Sequence, residues 1–298
     1  MRTVNYPGIG QTVVYNTDNE MDLAKLYERS KVPPTMRQVI PRDFEAKPVG
    51  SIEGIPAAGP IMESLDVIIA EDDLKDAIEE SHRIKSQPVY YSYKTWAPND
   101  GSFTWDQNGL GYCWTWGGTA GLLCLRAVLG LKTVRLAPVS MGYLVGWANR
   151  GNYLESWLKG AMDDGLVPVQ GGEVSLDDWA DVSMNSTNRS SSFWGKYDAL
   201  RKQFRLDRVW EINTQSGEMQ NIRETATSLY LSSPTYGAHN YWSHALGHEA
   251  IFNDSRAPYG VTIGHRNSHN NKDLLILEGT KATFDEAYPL ISVKGGDY

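Results

Sequence analysis

The sequence predicts an α+β fold in which a helical half precedes a β-rich, barrel-like half. Two observations carry this. Residues 113–129 are apolar on nearly every face, as in a helix buried through the middle of a domain. After Pro234 the pattern shifts to short runs suited to strands, over residues 245–252, 259–264 and 273–278. Helical patterns first and strand patterns later indicate segregated elements around a shared core. At 298 residues the chain can form one large domain or two small ones, and either can bury a substantial core.

Taken in order, residues 1–85 read as an extended N-terminal arm with little core of its own. Pro33-Pro34, Pro41, Pro48, Pro56 and Pro60 interrupt it. Short helices are predicted within it over residues 22–30 and 71–84, the second opening on Glu71-Asp72-Asp73, as the helix dipole prefers. From Val89 the texture becomes aromatic, and a turn with Asn108, Gly109 and Gly111 leads into the apolar helix, for which Gly130 is a C-terminal cap. Helical spacing recurs over residues 154–161, 193–204 and 221–229, and a polar Ser/Asn loop spans 183–192. No internal repeat is visible.

Composition narrows the function. With 41% hydrophobic and 21% charged residues, the chain has the balance of an ordinary globular protein. A formal net charge of −8 argues against a nucleic-acid partner, because phosphate binding needs clustered Lys and Arg. No apolar run approaches the ~20 residues of a membrane span, and residues 1–16 lack a signal peptide's apolar core. The expectation is a protein that is cytoplasmic at synthesis, so the sequons at Asn185, Asn188 and Asn253 weigh little. If the two cysteines, Cys113 and Cys124, share one helix, they stand about 16 Å apart. A disulfide needs Cα atoms within about 7 Å. At least one thiol then has another purpose.

The informative stretch runs from Gln107 through Gly109, Gly111 and Cys113 to Trp114. A thiol is a good nucleophile only as thiolate, which the positive end of a helix and a nearby imidazolium favour. Glycines before it let a substrate backbone approach closely. Gln107 and the backbone N–H of Cys113 are candidate donors to a developing oxyanion. His244 lies 131 positions after Cys113, and Asn267 lies 154 positions after it.

This stretch resembles the active-site segment of papain-like cysteine peptidases. It has glutamine six residues before the cysteine, tryptophan directly after it, and His and Asn downstream in the family's order. Residues 136–140 (Leu-Ala-Pro-Val-Ser) and the run from Trp157 to Pro168 also resemble family segments. The likeness covers roughly residues 86–285, leaving 286–298 as a C-terminal tail. It implies a cleft between the two halves, with Cys113 as nucleophile, His244 as base, Asn267 orienting the imidazole and Gln107 stabilising the oxyanion. It implies no cofactor and no metal, and its substrate is a polypeptide. Leu110 stands where the family has a disulfide cysteine, and His269-Asn270 stand where it has Trp-Gly.

Arg42-Asp43-Phe44, residues 48–51, residues 242–244, residues 277–279 and residues 281–283 further resemble papain-like proteins of tailed bacteriophages and some environmental bacteria. That implies a second reading: a virion assembly protein on the same scaffold, with neighbouring virion subunits as partners. The histidines offer a third. Five of the six fall within residues 239–269, and His244, His248 and Glu249 invite zinc. The helical zinc motif, however, places its glutamate between the histidines, and here it lies outside. His239, His248, His265 and His269 are therefore assigned to the surface or to packing, Cys124 to the core, and the ten tryptophans mostly to the core.

Overall fold

The computed structural model describes residues 1–29, 62–63, 65, 67–91, 113–131, 134, 136–138, 140–141, 152–168, 198–239, 244–266 and 274–294. In chain order they form β1 (Arg2–Tyr6), β2 (Gly10–Asn16), α1 (Glu20–Arg29), β3 (Met62–Glu63), α2 (Leu74–Arg83), a 3-10 turn (Pro88–Tyr90), α3 (Cys113–Val128) and α4 (Leu154–Asp163). These are followed by α5 (Asp198–Arg201), β4 (Arg205–Trp210), α6 (Glu218–Tyr230), β5 (Thr235–His239), β6 (His244–Asn253), β7 (Val261–Arg266), β8 (Leu274–Glu278) and β9 (Glu286–Lys294). The architecture is α+β, as the patterning predicts.

Among the described residues the strands make one nine-stranded sheet in the order β1-β2-β8-β7-β6-β5-β9-β4-β3. Pairing is antiparallel except between β2 and β8 and between β3 and β4. β6 sits near the centre, and only its last residue escapes full burial. That requires cover on both faces, which explains why its sequence does not alternate polar and apolar. Ala245 belongs to one core with α3 and α4, and Leu246 to another with α2 and α6. Successive side chains of a strand point to opposite faces, so this one strand supports two cores.

α3 is the buried helix of the prediction, with every residue from Cys113 to Arg126 inside the protein. It ends where the sequence says it must. Gly130 takes φ +69°, and Leu131 N–H reaches the Arg126 carbonyl at 2.9 Å while Gly130 N–H reaches Ala127 at 3.0 Å. This is the double hydrogen bond of a Schellman cap, which glycine enters without steric cost.

Two expectations need correction. The described parts of residues 1–85 are not an arm without a core. Tyr6, Val14, Tyr15 and Leu26 are buried, β2 pairs with β8, and α2 packs its Leu74 and Ile78 into the second core. Arg2 fastens the hairpin further, bonding Asp254 at 2.6 Å and also Glu278. Nor is the segment from 286 onward a tail: residues 286–294 form β9, held between β5 and β4. The proline-rich stretch, the 183–192 loop and residues 193–197 lie outside the described residues, where only α5 represents the helix expected over 193–204.

Candidate active site

Cys113 is the first residue of α3, the position at which unpaired backbone N–H groups and the helix dipole both favour a negative charge. Its side chain is almost wholly enclosed, with 4% of the residue exposed. Burial pushes the thiol up to about 11, against the pull of the nearby backbone N–H groups of Ala245, Trp114 and Cys113 itself. The resting group is thus a neutral thiol surrounded by donors that would welcome a thiolate.

The nearby Ala245 N–H fixes the neighbourhood. Ala245 is the second residue of β6, and the first is His244, itself buried. The sulfur therefore lies against the backbone next to the predicted base. Contact between the two elements is backbone to backbone: a Cβ on Gly117, one turn along α3, would come within 3.0 Å of Leu246 N and 3.1 Å of the Ala245 carbonyl. On the neighbouring position, a Cβ on Gly118 would fall 2.3 Å from the Trp157 ring of α4. These two glycines let the helix start sit flush on β6 and under Trp157.

His244 pairs in register with His239 across the β5–β6 hairpin. Its charge helps depress the His239 imidazole, after burial and the charge of His265. Asn267 and Gln107 lie outside the described residues; Arg266, the last residue of β7, faces Gly247 of β6. Cys124 has the packing role expected of it, fully buried with its thiol directed at the Pro88 carbonyl at 3.4 Å, and both cysteines are free.

His239, His248 and His265 are packing residues rather than surface ones, and His269 lies outside the described residues. His239, His248 and His265 are all enclosed and converge on Phe284. His248 stacks flat on that ring, 3.6 Å between centroids, and His239 Nε2 lies 3.4 Å from His265 Nδ1. Glu249 does not join them. It pairs with Arg266 at 2.7 Å, both side chains buried. Among the described residues no cluster of three or more His, Cys, Asp or Glu side chains is arranged to hold a metal ion. Sequence reasoning missed this cluster and the Glu249–Arg266 pair. The signal available was the spacing of His248 and Glu249 in a strand, which sends neighbours in different directions.

No family model matches the chain, and no curated protein matches it. Solved structures do. The chain is similar to papain-like cysteine proteases. Xylellain, a cysteine protease from Xylella fastidiosa, is 13% identical over 63% of this chain and 82% of its own, with a TM-score of 0.45. Digestive procathepsin L 3 of Tenebrio molitor larval midgut is 11% identical over 62% of this chain and 65% of its own, also at 0.45. The cysteine protease and lectin-like domains of Cwp84, from Clostridium difficile, are 14% identical over 64% of this chain, which spans about half (49%) of that structure, again at 0.45. Among the described residues, no helix is long and apolar enough to cross a membrane.

Proposed function

We propose that this chain is a cysteine peptidase, a thiol amide hydrolase acting on polypeptide. One observation carries the reading: α3, which opens on Cys113, lies backbone to backbone on β6, with the sulfur near the backbone N–H of Ala245, directly after His244. The sequence resemblance supports the same pair.

In this mechanism the Cys113 sulfur attacks the carbonyl carbon of a peptide bond while its proton passes to the His244 imidazole. Because burial holds the thiol neutral near pH 7, removal of the proton accompanies attack rather than preceding it. The oxyanion forms beside the N–H of Cys113 and the side-chain amide of Gln107. Collapse breaks the C–N bond, and His244 returns the proton to the departing amine. Water, deprotonated by His244, then attacks the thioester, and the carboxylic acid leaves as the sulfur recovers its proton. Asn267 accepts a hydrogen bond from the imidazole and holds its orientation.

The test uses iodoacetamide and peptide mapping on the native protein. Cys113 should alkylate at least tenfold faster than Cys124. Cys113→Ala and His244→Ala should each abolish hydrolysis of an unstructured protein such as casein. Undiminished turnover by Cys113→Ala would end this reading.

A second reading, a virion assembly protein on the same scaffold, draws on the near-complete enclosure of the sulfur. It predicts that native Cys113 alkylates no faster than Cys124, and that no peptide is cleaved.

A further inference from the structure

We propose that Tyr236 is a positioning residue for the Cys113 sulfur, its hydroxyl setting the first turn of α3 by a hydrogen bond to the Trp114 carbonyl. The inference rests on reading Cys113 as the nucleophile. Tyr236, in β5, is wholly enclosed, and its Oη donates to that carbonyl at 2.7 Å. Within a helix the Trp114 carbonyl already serves the N–H four residues on, so the phenol is a second donor on one oxygen. Trp114 is one of the three residues whose backbone N–H groups lie near the sulfur and favour its charge. A tie on its carbonyl holds the peptide unit that joins Trp114 to Thr115, and with it the first turn that carries the N–H groups of Cys113 and Trp114.

Three neighbours then hold this turn. The β6 backbone lies against Gly117, Trp157 against Gly118, and Tyr236 against Trp114. Trp157 meets Tyr236 edge-on, 5.1 Å between centroids, which keeps the phenol from swinging away. The hydroxyl is also near enough for a charge on Cys113 to act on it, after burial the largest influence on its ionisation. The other titratable groups around the pair are His244 at the start of β6 with its register partner His239, Glu155 of α4, and Glu286 of β9, which accepts the Tyr288 hydroxyl at 2.9 Å. Phenylalanine would fill the same space. What the hydroxyl adds is direction.

The experiment is Tyr236→Phe in the full chain, with the pH profile of iodoacetamide alkylation read separately at Cys113 and Cys124. Loss of the tie should move the Cys113 profile up by about one pH unit, making alkylation at pH 7 about tenfold slower. Cys124 should stay unreactive, and kcat on a peptide substrate should fall with KM unchanged. A Cys113 profile identical to that of the parent would overturn the proposal. So would equal labelling of Cys124, because the substitution would then only have loosened the helix. If the parent protein cleaves no peptide at all, the peptidase reading falls, while the two alkylation profiles still decide the role of Tyr236.

Discussion

At the scale of single residues, the start of α3 depends on side chains that are missing. Gly118→Ala would drive a methyl group into Trp157, whose nearest ring carbon stands 2.3 Å from the Cβ position. Overfilling a close-packed site costs about 1–3 kcal/mol, and the urea midpoint should fall accordingly. Hydrolysis should fall further than stability alone explains, since displacing Trp157 also frees Tyr236. Cys113 and His244 could be picked out in the sequence as a candidate nucleophile and base by residue type and order. Gly117, Gly118 and Tyr236 could not. What makes each matter is an atom from another element, Leu246, Trp157 and the Trp114 carbonyl respectively, and no window of sequence contains both partners.

At the scale of elements, β5, β6 and β7 carry a pH dependence. His239, His248 and His265 lie side by side on them, all enclosed with Phe284. Burial depresses all three, His265 to about 3, and repulsion from neighbouring histidines adds to it at His239 and His248. Above pH ~6.5 neither the folded nor the unfolded chain protonates them, and they cost nothing. Below it the unfolded chain takes up protons that the fold excludes, so stability falls as pH drops. Each such proton is worth about 1.4 kcal/mol per pH unit, and three give a slope near 4. Glu218 opposes this in part: burial raises it to about 7, so the folded state binds a proton that the unfolded state releases above its ordinary value. Urea denaturation at pH 7.5, 6.0 and 5.0 should show steep loss on the acid side, and His248→Phe should lower the slope by about one proton. A stability independent of pH would contradict it. The strands themselves were partly legible. β6, β7 and β8 fall within a few residues of their apolar runs, while β9 does not, because Pro289 inside it reads as a breaker.

At the scale of the whole molecule, remote parts of the chain hold one sheet together. The hairpin β1–β2 reaches the far side of the sequence through β8 and through Arg2, whose partners Asp254 and Glu278 are themselves nearly buried. Arg2→Leu would take its guanidinium from the enclosed Glu278 and leave Asp254 with Arg256 and the Tyr6 hydroxyl, a loss of about 3 kcal/mol. Urea unfolding should show it, and adding Asp254→Asn and Glu278→Gln should restore part of the loss. The α+β class could be read from the order of patterns, but this long-range pairing could not, since β1 and β2 carry no mark of the strand they will meet. β9 has the same character, with a larger consequence. It is wedged between β5 and β4, so the strands beyond it join the sheet only through its backbone. A ribosome that has delivered residues up to about 280 has released every other strand and every helix described, yet β4 and β3 have no strand through which to join the sheet. The sheet is finished only when its middle arrives, and until then the growing polypeptide offers chaperones two open edges.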